Sequence, residues 1–281
     1  MRKEHRMSAI IDRLEIERDK GFSFEGVNPS VVIEELLPHI GAPNPYLRDT
    51  LVYSALATLT TKKALTKEDY RKLLRIYLSE NYLFYNITSG HVKPALKRSF
   101  TLLQLCVLLD VEKNRHVFTQ EDLKRLFDSL LDYYGQEKIW MGYHQDYGWV
   151  HTIAHSADLF KGLFSLNAFS ASKMHSDLEA IRGRFIQGEH AFSHGEDQRS
   201  AKALIEGVHS GSISPSSLAA FVEGFERVRT LETVHDGVFP ESTVVRRANA
   251  AHLLEALFVG LPDKPAYKAY AATIKRLIHS F

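Results

Sequence analysis

The chain has 281 residues, of which 44% are hydrophobic and 25% charged, and its 35 basic and 34 acidic side chains nearly cancel. The composition excludes wholesale disorder, because enough apolar surface is present to build a core. A formal net charge of +1 gives no long-range attraction to a polyanion, so we expect neither a nucleic acid nor an anionic membrane as partner.

The start of the chain argues for a protein that stays in the cytoplasm. Residues 1–6 are basic, but the charged segment 11–18 follows them in place of the apolar segment of a signal peptide. No run approaches the roughly 18 to 20 apolar residues of a membrane-spanning helix. Cys106 is the single cysteine and lies in the apolar run 102–109, so no intrachain disulfide can form.

Capping residues mark six helix starts along the chain. A capping side chain precedes a proline at Asn28-Pro29, Asn44-Pro45 and Ser214-Pro215. Capping boxes are predicted at Thr66 to Asp69, Thr119 to Asp122 and Ser193 to Glu196. The third has the full form, and the first two carry Asp in place of Glu.

Apolar residues recur with the spacing of helices that bury one face. The clearest stripes, at i, i+3, i+4 and i+7, begin at Tyr70, Leu123, Leu218 and Tyr267. No segment alternates convincingly as a strand does, so we expect no sheet. We predict an all-α protein, an array of antiparallel helical hairpins that forms a HEAT-like right-handed superhelix, as a single domain over residues 1–281. Loops are expected at residues 83–94, 135–148 and 232–241.

The segment 144–160 carries the densest collection of reactive side chains. On a helix with about 100° per residue, His151, His155 and Asp158 fall within about 60° of one another. The apolar residues of the segment lie on the opposite side of the same helical wheel. We therefore expect these three side chains to form an exposed polar face that lines a groove.

Two interpretations of this face stay open. Two histidines at i and i+4 with a carboxylate one turn later supply three ligands for a divalent metal, and the same pattern is also typical of a solvated helix face. Trp149 stands at the entrance to the segment and is predicted to pack over a ligand or to seal the helix end. The dyad His235-Asp236 lacks the flanking histidines of metal-dependent phosphohydrolases, and we discount it.

A second cluster, residues 189–199, contains Glu196 and Asp197. The predicted capping box explains Glu196, and the helix dipole favours Asp197 in a first turn. In an enzyme, Glu196 or Asp197 would instead be a fourth metal ligand or a general base.

Four blocks of the sequence resemble the bacterial family called domain of unknown function 2785. They are Leu47-Arg48-Asp49-Thr50-Leu51-Val52-Tyr53, Arg98-Ser99-Phe100, residues 148–159 and Gly195-Glu196-Asp197-Gln198-Arg199. Ser156 stands where the family usually has glycine, and Gln198 stands where it usually has an acidic residue. The resemblance implies an all-helical, HEAT-like, intracellular bacterial protein, and it implies no activity.

From these observations we predict a binding or scaffold module that holds a protein or a small molecule. The predicted ligand-binding residues are Trp149, His151, His155, Asp158, Glu196 and Asp197. The alternative is a metal-dependent, hydrolase-like enzyme in which His151, His155 and Asp158 bind a divalent cation.

Overall fold

Helices dominate the backbone of the computed structural model, which describes residues 2–62, 65–169, 171–230, 240–261 and 265–280. The first half of the chain forms α1 (Arg2–Asp19), α2 (Pro29–Leu36), α3 (Tyr53–Lys62), α4 (Lys67–Tyr77), α5 (Val92–Arg115) and α6 (Gln120–Gln136). The second half forms α7 (Thr152–Ser165), α8 (Ala171–Ile186), α9 (Glu196–Ser210), α10 (Pro215–Glu223), α11 (Glu226–Thr230), α12 (Glu241–Gly260) and α13 (Pro265–Ile278). The prediction of a predominantly helical fold is confirmed.

A short antiparallel hairpin interrupts the helices, so the expectation of no sheet is wrong at this place. Strand β1 (Tyr143–His144) pairs with β2 (Gly148–Trp149), with Tyr143 opposite Trp149 and His144 opposite Gly148. Each strand has only two residues, too few for an alternating pattern to be visible in the sequence. Most of the predicted loop 232–241, including the discounted His235-Asp236, lies outside the described residues.

Five of the six predicted helix starts are capped by the side chains that the sequence indicates. Asn28 Oδ1 accepts from Ser30 N at 2.9 Å, and Ser214 Oγ accepts from Ser217 N at 3.1 Å. Both capping boxes that carry Asp at their third helical position are fully formed. At Asn44 the side chain accepts from Leu47 N, and the first turns, Tyr46–Val52, are wound as a π-helix that continues into α3.

The chain divides into two compact units. Unit 1 comprises Met1–Ile139 and Tyr143–His155, and unit 2 comprises Trp140–Gly142 and Ser156–Phe281. The single domain over residues 1–281 stays a prediction.

In unit 1 the core is organised around α5, which packs against α3 and α4. Its buried apolar side chains include Leu96, Phe100, Leu102, Leu105 and Leu108. Burial of such side chains contributes roughly 1.5–3 kcal/mol each. This helix also carries Ser99, which reaches the candidate site described below.

A buried ion pair joins α5 to the end of α6. Arg98 Nη2 lies 2.6 Å from Glu137 Oε1 and Arg98 Nε donates to Glu137 Oε2 at 2.8 Å, with both side chains fully buried. Tyr133 donates a further bond of 2.8 Å to Glu137 Oε2. Burial acts to lower the pKa of Arg98, but the hydrogen bond and charge of Glu137 outweigh it and raise that pKa. The two hydrogen bonds of Arg98 to Glu137 fix the end of α6 against α5.

In unit 2 the central contact is between α9 and α12, with α8 also packed on α12 and α10 packed on α13. Leu204 from α9 and Leu253, Leu254 and Leu257 from α12 are fully buried. Within the described residues, no helix is both long enough and apolar enough to cross a membrane.

Candidate functional site

The β-hairpin is held in unit 1 by a buried arginine from the π-helical segment. Arg48 Nη2 donates to the carbonyl oxygens of Tyr147 and Trp149 at 2.7 and 3.2 Å, and Nη1 donates to Ala42 O at 2.9 Å. Its guanidinium lies over the Phe100 ring, 4.7 Å from the centroid. Arg48 is therefore the residue that positions the carbonyl groups on either side of Gly148.

Helix α7 begins one residue later than the helical wheel requires. His151 has φ +49°, in the left-handed region, and its carbonyl accepts the first helical bond from His155 N. Since His151 lies outside the helix, the angle of about 40° that the wheel gives between the two histidines does not describe them.

Both histidines are buried, which contradicts the prediction of an exposed polar face. His151 is 6% exposed and stacks on Trp149, with ring centroids 4.5 Å apart and the planes 7° from parallel. His155 is 4% exposed, and its Nδ1 lies 2.8 Å from Ser99 Oγ and 3.2 Å from Ser99 O. Trp149 stays 44% exposed. The physical reason is that Ser99 and Phe100 of α5 lie against His155 and Trp149 stacks on His151. The sequence of α7 alone contains no sign of these contacts.

Asp158, in unit 2, forms an ion pair with α9. Arg199 Nη1 donates to Asp158 Oδ2 at 2.5 Å. Burial raises the pKa of Asp158, and the charges of Arg199, Lys161 and Lys202 oppose that rise only in part. Asp158 therefore ties α7 to α9, and Arg199, the last residue of the fourth block of resemblance, is its partner.

The predicted capping box at Ser193 is wrong. Helix α9 begins at Glu196 after Gly195, whose φ of +85° is left-handed, and no side chain caps it. Glu196 Oε2 instead accepts from the N–H of His194 at 2.8 Å, and its carboxylate is fully buried. A methyl group on Gly142 would lie 2.4 Å from Glu196 Oε1, so only glycine fits at that position. The N-cap therefore lies at Gly195, two residues after Ser193, and its φ is positive.

Asp197 is one of the residues that line an open groove between α9 and α12. The groove has a volume of about 480 Å³. Each helix contributes five residues to the lining. They are Asp197, Gln198, Ala201, Lys202 and Ile205 from α9 and His252, Glu255, Ala256, Val259 and Gly260 from α12.

The two helices that form the groove run parallel. At the start of α9, Phe192 N donates to Asn249 Oδ1 at 2.9 Å, and Asn249 Nδ2 donates to His190 O at 2.8 Å. Further along, Gly260 lies directly against Ile205, where an added methyl group would overlap the Ile205 side chain. Residue numbers therefore rise together along both helices.

This parallel arrangement gives the groove a polar end and an apolar end. Asp197 and His252 lie towards its start, and Ile205 and Val259 lie towards its end. Val259 is 83% exposed, so its apolar side chain is available to a ligand. The groove therefore offers charge at one end and apolar surface at the other.

The six predicted ligand-binding residues separate into three situations. His151, His155 and Glu196 are buried, Asp158 forms an ion pair with Arg199, and Trp149 and Asp197 reach the surface. Among the described residues, no group of three or more His, Cys, Asp or Glu side chains is placed to hold a metal ion. The metal site formed by His151, His155 and Asp158 stays a prediction.

Sequence reasoning missed the α12 side of the groove. His252, Glu255 and Val259 follow a spacing of i, i+3, i+7, which is a helical stripe of mixed character. A stripe that combines charged and apolar residues is the one sign of a groove in the sequence of α12. The sequence does not indicate that this stripe faces α9.

A family model described as "Protein of unknown function (DUF2785)" matches residues 83–259, more than half of the chain. The matched region includes the hairpin, α7, α9 and nearly all of α12. The chain matches no curated protein and no solved structure.

Proposed function

We propose, from the premise that the chain belongs to the DUF2785 family of proteins of unknown function, that it is a binding module for a small amphipathic ligand. The groove between α9 and α12 is the proposed site. The observation that carries the proposal is the change of its lining from charged to apolar along two parallel helices.

The size of the groove supports a small molecule as occupant. Its volume of about 480 Å³ falls within the range of roughly 300–1,000 Å³ that is typical of ligand sites. Ala201 and Ala256 contribute short side chains to the lining, which leave room for a ligand. Val259 and Ile205 supply apolar surface that a hydrocarbon chain would cover, with a gain of about 0.8 kcal/mol per buried methylene.

The charges of the lining favour a cationic head group. Asp197 and Glu255 contribute two carboxylates, and Lys202 contributes one ammonium group. Carboxylates therefore outnumber ammonium groups in the lining as a whole, and we propose a protonated amine as the polar group of the ligand.

Calorimetric titration of the full chain with octylamine, octanol and octanoate tests the proposal. We expect octylamine to bind most tightly, because its ammonium group meets the two carboxylates while its chain covers Val259. Asp197→Asn and Glu255→Gln should each weaken octylamine by about fivefold, the effect of losing one partly exposed charge pair, and leave octanol unchanged.

A matched pair of tryptophan substitutions on α12 locates the site. Ala256→Trp fills the groove and should abolish octylamine binding, whereas Ala248→Trp, on the same helix outside this groove, should leave it intact. Parent-like binding by Ala256→Trp, or no binding of octylamine by the parent at millimolar concentration, would overturn the proposal.

The HEAT-like right-handed superhelix belongs to the same proposal. Within unit 2, α9 and α10 follow each other in the chain, and α12 and α13 pack on each other; α9 packs on α12 and α10 packs on α13. In helical repeats, the first helix of one pair packs on the first helix of the next pair, and the second helix packs on the second. A crystal structure in which successive pairs do not rotate with a right-handed sense would contradict it.

The cellular setting is likewise proposed and not observed. We propose a cytoplasmic protein with no nucleic-acid or membrane partner, supported by the near balance of charges and the single cysteine. A bacterial origin is proposed from the resemblance of the four sequence blocks. Fractionation of a bacterial host that expresses the full chain tests the location, and recovery in the membrane fraction would contradict it.

A further inference from the structure

A cavity lies in unit 1 at the start of α5, whereas the groove proposed above lies in unit 2. The volume of the cavity is about 260 Å³. It is lined by Pro38, Gly41, Tyr85, Lys93, Pro94 and Lys97. The only charged side chains in this lining are the two lysines.

Lys97 is half-buried between two tyrosine rings. Its Nζ lies 4.5 Å from the centroid of Tyr82 and 4.6 Å from that of Tyr85. Burial lowers the pKa of Lys97, because it removes water from the ammonium group.

Neither lysine of the cavity has a carboxylate partner among the described residues. Elsewhere in unit 1 lysines do find one, as in the pairs Lys72–Glu34 at 2.6 Å and Lys124–Asp128 at 2.7 Å. Lys93 Nζ lies over the Tyr147 ring, 5.7 Å from its centroid. Lys93 and Lys97 are four residues apart on α5, a spacing at which like charges destabilise a helix by a few tenths of a kcal/mol.

The backbone around the cavity keeps Lys97 in place and adds to its positive potential. Gly41 lies so close to α5 that an added methyl group would be 2.5 Å from the α carbon of Lys97. Helix α5 begins at Val92 without a side-chain cap, so the positive end of its dipole adds to the charge of the lysines.

We propose that this cavity binds the phosphate group of a small phosphorylated molecule. Two ammonium groups without carboxylate partners supply the charge for a dianion, and a phosphate between them removes their mutual repulsion. The ring of Tyr85 and the faces of Pro38 and Pro94 supply an apolar wall for the carbon part of the ligand. The volume lies just below the range of about 300–1,000 Å³ of sites for larger ligands, which suits a compact phosphate ester.

Calorimetric titration of the full chain with inorganic phosphate, glycerol 3-phosphate and glycerol tests the site. We expect both phosphates to bind and glycerol not to bind. Tighter binding of the ester identifies a phosphate ester as the occupant, and tighter binding of inorganic phosphate identifies the free ion.

Three lysine variants assign the binding to this cavity. Lys97→Met and Lys93→Gln should each weaken the tighter phosphate ligand by about tenfold, because each loses one charged hydrogen bond. Lys113→Gln, at the exposed far end of the same helix, should leave the affinity unchanged. Circular dichroism verifies the fold of each variant, and Lys93→Gln, at an exposed position, provides the test if Lys97→Met does not fold.

Absence of phosphate binding by the parent at millimolar concentration would overturn the proposal. So would parent-like affinity in Lys93→Gln together with Lys97→Met, or an equal loss in Lys113→Gln.

Discussion

His155 illustrates how the surroundings of one residue decide its role. The sequence places it on the polar side of α7, yet it is 4% exposed, because Ser99 and Phe100 of α5 lie against it. The Phe100 ring meets the imidazole edge to face at 5.6 Å. A histidine in such a pocket contributes packing and a hydrogen bond, and both are lost together when its ring is removed.

We therefore expect His155→Ala to destabilise the protein by about 2 kcal/mol or more. The ring leaves a cavity beside Phe100, and Ser99 loses its side-chain partner at 2.8 Å. Urea denaturation followed by far-ultraviolet circular dichroism measures the change. His175→Ala, at an exposed position of α8, is the control and should stay within about 0.5 kcal/mol of the parent. An unfolding free energy for His155→Ala equal to that of this control would show that the ring contributes nothing.

At the scale of the elements, local signals predicted the helices well where the cap is a side chain. Thr66 and Thr119 each form the predicted capping box with the Asp three residues later. The start of α9 differs because it depends on Gly195, whose left-handed φ carries the chain into the helix without a cap. The sequence shows a glycine there, but the competing Ser193 to Glu196 pattern is the stronger local signal.

The capping box of α4 gives a pH-dependent contribution to stability. The hydroxyl and backbone N–H of Thr66 both donate to Asp69 and hold the pKa of its carboxyl below the usual value. Since the pKa is lower in the folded state, the contribution is present above the unfolded pKa of about 3.9 and is lost as the pH falls through the folded pKa.

We expect Asp69→Asn to be less stable than the parent by a few tenths to about 1 kcal/mol between about pH 6 and 8. This difference should shrink below about pH 4, where the parent carboxyl takes up its proton. Urea denaturation at a series of pH values measures it. Asp110→Asn, at an exposed position of α5, is the control and should differ little from the parent throughout. A difference that is constant down to pH 2 would contradict the role of the charge.

At the scale of the molecule, the sequence predicted which face of a helix is buried better than it predicted which helices pack together. The stripes of α4 and α6 are buried as expected, with Leu73, Leu74, Leu126 and Phe127 in the core. The groove was missed because α9 and α12 are about 50 residues apart in the chain. Helix periodicity shows which face of a helix combines charged and apolar residues, but it does not show which other helix packs against that face. For the same reason the cover of α5 over His155 could not be inferred from α7.

The division into two units does not coincide with a linker. One boundary falls between His155 and Ser156, inside α7, and the other encloses the three residues Trp140–Gly142. A helix that continues across a boundary transmits unfolding, because fraying from one unit removes hydrogen bonds from the next turn. We therefore expect the chain to unfold in one cooperative transition, as a single domain does.

The chain contains two tryptophans, and each lies in a different unit: Trp149 in unit 1 and Trp140 in unit 2. In Trp140→Phe, fluorescence reports on unit 1, and in Trp149→Phe it reports on unit 2. For each variant the urea midpoint from fluorescence should equal the midpoint from far-ultraviolet circular dichroism, which reports on the helices of both units. Comparison within one variant removes any change of stability that the substitution itself causes. In one variant the fluorescence midpoint could lie above the circular dichroism midpoint, and in the other variant below it. Such a result would show that the two units unfold separately, and the prediction of a single domain over residues 1–281 would then be wrong.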